Sequence, residues 1–176
     1  MQLNHHLTLA LHYRWQPLKQ INKQQIPASL WFWLTTSQSI TAELKKRGRL
    51  TVEIIEDGWG KATPREKRRL KMKPRDAARV RTVLLKVNGR TVIYARSIIP
   101  ANALRGHWRQ VKHLHNKPLG GYLFKHRALK RSPIEVAALP KGLFTNHHTK
   151  IWARRSVFQQ FGSGILVSEA FFETMA

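Results

Sequence analysis

The sequence predicts an α+β fold, a helical N-terminal part followed by antiparallel strands. Three observations carry this expectation: a capped helical segment preceded by an apolar cluster before residue 50, a β-rich hairpin pattern over 80–99, and further alternating runs toward the C-terminus. At 176 residues the chain suits one compact domain over 1–176, able to bury roughly 70% of its unfolded surface.

Residues 1–27 are polar, weakly patterned, and end at Pro27. Leu30-Trp31-Phe32-Trp33-Leu34 then suits a buried helix turn. A helix is expected from Ser39 to Lys46, with Ser37 or Ser39 as N-cap, Ile40 and Leu44 on one face, Lys45 to Arg47 in the last turn and Gly48 as the stop. Leu50, Val52 and Ile54 alternate with Thr51, Glu53 and Ile55, the period of a half-buried strand that Asp57-Gly58 ends or bends.

Between Val80 and Ile99 two β-rich runs flank Asn88-Gly89, a dipeptide suited to a type I′ hairpin turn. Pro100 closes the second run, and Leu104, Trp108 and Val111 predict a helix from Ala101 to His115. Pro118-Leu119-Gly120-Gly121 reads as a turn. Ile134 to Val136, Ile151 to Phe158 and Ile165 to Phe172 read as strands, the last two separated by Gly162-Ser163-Gly164.

Composition narrows the function. Lys plus Arg number 32 against 9 Asp plus Glu, a formal charge of +23 that attracts anions. The absence of Cys excludes disulfides, zinc ribbons and a thiol nucleophile, and it fits a reducing compartment. The run Leu7 to Leu11 has no basic segment before it and meets Arg14 soon after, unlike a secretory signal. No stretch approaches the ~20 apolar residues of a membrane span, so a soluble, cytoplasmic protein is expected.

Motifs for common cofactors are missing. His113, His115, His147 and His148 lack the carboxylate or Cys partners a metal site needs, so no metal is expected. Gly120-Gly121 and Gly162-Ser163-Gly164 have neither Walker nor dinucleotide spacing, and no G-x-S-x-G frame surrounds Ser156 or Ser163. The basic run from Lys61 to Arg81, offset only by Glu66 and Asp76, has two readings: a nucleic-acid footprint, or a solvated connecting segment. The second is adopted, because no aromatic residue is interleaved for base stacking.

Strand parity singles out two charges. Arg81 shares a face with Val83, Leu85 and Val87, and Glu169 shares one with Ile165, Val167 and Phe171. A charge in an apolar row needs a partner. Glu169 either pairs internally with a cation such as Arg81 or Arg155, or the two residues line a pocket in which Arg81 binds a substrate anion and Glu169 handles a hydroxyl or proton.

The ordered segments Ser39-Ile40-Thr41, Val80-Arg81-Thr82-Val83-Leu84-Leu85, Ala95-Arg96-Ser97-Ile98-Ile99-Pro100, Lys117-Pro118-Leu119-Gly120-Gly121-Tyr122-Leu123-Phe124, Trp152-Ala153-Arg154-Arg155-Ser156 and Ser168-Glu169-Ala170-Phe171 carry a resemblance. Together, from about Trp31 to Phe172, the chain resembles the chorismate pyruvate-lyase family. The resemblance implies one antiparallel sheet of about six strands with helices packed on it and helical flaps over an internal site. It also implies cofactor-independent cleavage of chorismate to 4-hydroxybenzoate and pyruvate on the way to ubiquinone.

By the same resemblance Arg81 and Glu169 are the principal polar site residues, the positions of Ile40 and Leu119 contribute backbone groups, and Lys61 to Ala78 and Leu104 to Pro118 form two flaps. Ile40 stands where Met is common in the family and Gly121 where an Arg often follows the Pro-Leu-Gly turn. A monomer is implied, with no specific nucleic-acid partner and at most transient electrostatic contact with an acidic membrane. The competing class is an effector-binding module of this fold, as in some bacterial transcription regulators, with or without nucleic-acid binding through its basic surface; a third is an inactive relative that holds the aromatic acid.

Overall fold

The structure, a computed structural model, describes residues 13–124, 129–139 and 151–172; His5, His6, His147, His148 and the Leu7 to Leu11 run lie outside them. After a two-residue strand β1 (Gln16–Pro17) come helices α1 (Ala28–Thr35) and α2 (Ile40–Arg47). Ser39 caps α2 by accepting from the Ala42 amide, and Gly48 ends it, as expected. Strand β2 (Leu50–Gly60), the short helix α3 (Pro64–Arg69), and the hairpin β3 (Ala78–Val87) and β4 (Arg90–Pro100) follow. Positive φ at Asn88 (50°) and Gly89 (80°) makes the predicted primed turn.

The remaining elements are α4 (Leu119–Leu123), β5 (Lys130–Arg131), β6 (Glu135–Leu139), β7 (Ile151–Gln160) and β8 (Ser163–Phe171). The strands form one antiparallel sheet in the order β1-β6-β7-β8-β4-β3-β2, with β5 added beside β7. With β1 and β5 only two residues long, six strands carry the sheet.

Three local expectations are corrected. Ala101 to His115 is not one helix but two 3₁₀ segments, Ala103–Arg105 and His107–His113, parted at Gly106, whose backbone (φ −109°, ψ −133°) leaves the helical region. Leu104, Trp108 and Val111 are still buried together, so the apolar spacing survives the change of helix type. The Pro118 to Gly121 turn continues into α4. Strand β2 runs through Asp57-Gly58 to Gly60, and its register against β3 shifts between Ile54 and Glu56.

Each sheet face has its own cover. On one, α1 and α2 pack Leu30, Trp33, Leu34, Ile40 and Leu44 against Val83, Leu85, Ala95 and Phe171, while the 103–114 segment packs on Phe158, Ile165 and Val167. On the other, Ala62, Leu70 and Met72 pack against Val80, Ile98, Val157 and Leu166. The Lys61 to Ala78 connection, expected to be a flap over the Arg81 face, therefore covers the opposite face, because its apolar residues meet the even-numbered side of β3.

Candidate active site

Between the sheet and the first cover lies a narrow, largely enclosed cavity of about 40 Å³. Arg81, Glu169, Ile40 and Leu119 all line it, together with apolar groups such as Val83, Leu85, Phe158 and Val167. Pairing of Arg81 with Ser97 and of Glu169 with Ala95 sets the two charges on β3 and β8, with β4 between them. At about 4.8 Å per strand and 3.4 Å per residue, their Cα atoms stand about 12 Å apart.

Arg81 is 2% exposed. Its Nη1 donates to Asp57 Oδ2 at 2.5 Å, and its Nη2 donates to the carbonyls of His115 (2.7 Å) and Lys117 (3.0 Å). Its Nε and the second Nη1 hydrogen have no partner among the described residues. The flap that carries His115 and Lys117 thus closes directly onto the guanidinium. Asp57 reaches this face only through the β2 bulge: Ile54 lies opposite Val83, Glu56 opposite Thr82, and the extra residue Ile55 turns Asp57 to the side of Arg81.

Glu169 pairs neither with Arg81 nor with Arg155. Its direct cross-strand neighbour is Arg154, whose Nε donates to Glu169 Oε2 at 2.8 Å. Arg155 points to the other face and donates to Glu135 instead. Arg154 Nη1 also donates to the Thr36 carbonyl at the end of α1 (2.8 Å), and Arg131 Nη1 shares that acceptor at 3.2 Å. Burial and then the neighbouring Arg154 charge pull Arg131 down to about 10. Glu169 is the one acid of the cavity lining among the described residues, and its Oε1 has no partner there.

Ile40 and Leu119 are the first residues of α2 and α4, so their amides belong to the helix turn that lacks intrahelical acceptors. The two helices touch closely: a Cβ on Gly120 would lie 2.5 Å from Thr41 Oγ1. At Gly121 a Cβ would meet nothing within 4 Å. Asp57 and Arg154 were missed by the sequence reading. The row Trp152, Arg154, Phe158 carries the same parity signal as Arg81 and would have found the second; Asp57 was hidden by the bulge.

No group of three or more potential metal ligands occurs among the described residues, and no helix among them is long and apolar enough to cross a membrane. In fold the chain is similar to regulator domains: the effector domain of PhnF from Mycobacterium smegmatis (TM-score 0.57, 15% identity, 78% of this chain and 90% of that one) and YydK from Bacillus subtilis (0.55, 14%, 73% and 59%). In sequence it is 39% identical over 140 residues to a Marinobacter nauticus protein named "Probable chorismate pyruvate-lyase", covering 78% of this chain and 73% of that protein. It is 32% identical over 176 residues to a Hydrogenovibrio crunogenus protein of the same name, covering 96% and 95%. The chorismate lyase family model matches residues 10–176, so that the sheet, the closed cavity and the sequence agree: the chain belongs to the chorismate lyase family.

Proposed function

We propose that the protein is a chorismate pyruvate-lyase that supplies 4-hydroxybenzoate for ubiquinone synthesis, working in the cytoplasm as a single-domain monomer. The observation that supports this reading is the cavity itself, with a buried cation on β3 and a carboxylate on β8 facing one narrow apolar space that admits a ring-bearing dianion when its cover opens. The fold likeness to effector domains lies at 14–15% identity in the two structures compared and carries no function of its own.

Chorismate loses the C4 proton and the C3–O bond to the enolpyruvyl group, which makes the ring aromatic. The released enolpyruvate takes up a proton at its methylene carbon and becomes pyruvate, so protons and electron pairs balance without an oxidant or reductant. The protein's task is to orient the dianion, meet the charge developing on the leaving oxygen and manage one proton. Arg81 binds a substrate carboxylate, whose oxygens take the place of the His115 or Lys117 carbonyl as the flap yields. Glu169, oriented by Arg154, faces the ring hydroxyl side and serves as the base, with Oε1 the free acceptor. First-turn amides of Ile40 and Leu119 add donors with no charge to desolvate.

The test is incubation of the purified protein with chorismate in the presence of a chelator, following 4-hydroxybenzoate and pyruvate. Equal amounts of both are expected. Glu169→Ala is expected to lower kcat by about 10²–10⁴-fold, with Arg154 still held by the Thr36 carbonyl and thermal melting reading the stability lost with its carboxylate partner. Wild-type turnover in that variant would remove the proton role of Glu169, and binding of 4-hydroxybenzoate without turnover of chorismate would mark the protein as a non-catalytic holder of the acid.

A further inference from the structure

The sheet face away from the cavity carries a second, open concavity of about 450 Å³. Its floor is Arg155, 8% exposed, whose guanidinium lies 4.7 Å from the ring centre of Trp15. Arg155 and Arg69 both donate to Glu135 Oε2 at 2.9 Å. Burial pushes the Glu135 carboxyl up, but the two guanidinium groups outweigh it and hold the group below the usual carboxylate range. Around the rim stand Arg14, Arg65, Arg68 and Lys71, all exposed. Arg14, Arg68 and Lys71 have no partner among the described residues, and Lys71 is held at a positive φ of 55°. Among the described residues, six cations against the carboxylates of Glu135 and Glu66 leave an excess of 6 − 2 = +4 around one cleft.

We propose that this cleft binds the phosphate chain of a small linear oligophosphate, either free or carried by a nucleoside. Phosphate oxygens are the acceptors that several converging guanidinium groups meet best. The concavity is of the size that takes one small molecule. Trp15 is its one aromatic lining residue among the described residues, and its partly buried ring packs on the core. The site lies on the far face from Arg81 and does not depend on the reaction assigned above.

Calorimetric titration with inorganic tripolyphosphate at about 150 mM salt tests the proposal. Saturable one-to-one binding is expected, about ten-fold or more tighter than that of sulfate. It should weaken by about ten-fold or more in R14E/R68E, and by less than about two-fold in K45E/R90E, which changes the net charge equally on exposed positions outside the cleft. The milder pair R68A/K71A should shift in the same direction, and thermal melting checks that each variant folds. A nucleoside triphosphate matching tripolyphosphate would assign the phosphate chain alone; tighter binding would add the base. Equal losses in R14E/R68E and K45E/R90E, affinity no better than sulfate, or tighter binding of a single-stranded oligonucleotide than of tripolyphosphate would overturn the proposal.

Discussion

Gly120→Ala probes the seam on which the cavity is built. The new Cβ would lie 2.5 Å from Thr41 Oγ1 and 3.3 Å from Thr41 Cβ, whereas ordinary contact begins at 3.4 Å, so α2 and α4 must part by up to 3.4 − 2.5 = 0.9 Å. Thr41 is 5% exposed, and rotating its χ1 replaces the hydroxyl by a methyl group in much the same space. Overpacking of this kind costs about 1–3 kcal/mol of stability, partly offset by the better helix propensity of Ala, about 1 kcal/mol. Because Ile40 and Leu119 line the cavity from these same two helices, a displacement near 1 Å is expected to lower kcat/KM about 10²-fold, or about 2.7 kcal/mol in the barrier. Continuous assay of 4-hydroxybenzoate formation and urea denaturation read the two effects. Thr41→Ala in the Gly120→Ala background removes the clashing oxygen and should restore part of both. Gly121→Ala, where the Cβ meets nothing within 4 Å, should leave activity intact. Wild-type activity and stability in Gly120→Ala, or equal losses in Gly121→Ala, would refute the steric argument.

Two further predictions concern the opposite face. Glu66, 2% exposed, accepts from Arg96 Nε at 2.9 Å and closes the capping box of α3 by accepting from the Thr63 amide at 2.8 Å. Glu66→Ala strands a buried guanidinium and should cost about 3–5 kcal/mol in urea unfolding, and Glu66→Gln, which keeps an acceptor for Thr63, should cost less. Glu135 has its carboxyl lowered in the folded state, so the unfolded chain binds more protons near the ordinary carboxylate range. Its stabilisation is complete above that range and is lost as pH falls, so the melting temperature should drop between about pH 5 and pH 3. Glu135→Gln should flatten that part of the profile; parallel profiles for the two proteins would contradict the linkage.

Much of the fold was legible because local and tertiary preferences agree. Ser39 and Gly48 bracket α2, and Asn88-Gly89 takes the positive φ angles that only a primed turn demands. Where they disagree the sequence misleads. Leu104, Trp108 and Val111 have helical spacing, but burying them against Phe158, Ile165 and Val167 across a break at Gly106 takes 3₁₀ geometry. The Lys61 to Ala78 connection is also ambiguous in sequence, since a crossover between antiparallel strands can pass over either face. What decides it is tertiary: Ala62, Leu70 and Met72 find the apolar row of Val80 and Ile98, and Glu66 finds Arg96.

The site shows why parity alone finds residues but not their partners. Alternation along β3 and β8 places Arg81 and Glu169 among apolar neighbours, and no irregularity intervenes in either strand before those positions are paired with β4. Partners depend on the neighbouring strand, where one inserted residue reverses every later side chain. Were Ile55 paired in the ladder instead of bulged, Glu56 would stand opposite Arg81, and Asp57 would stand opposite Val80 on the far face. Deleting Ile55 leaves Ile54 opposite Val83, Glu56 opposite Thr82 and Asp57 opposite Arg81 in an unbroken ladder, so it should destabilise the fold by less than Asp57→Ala, which takes the carboxylate from a buried guanidinium. Urea denaturation of the two variants separates the extra residue from the charge it positions, and a larger loss from the deletion than from Asp57→Ala would refute the register argument.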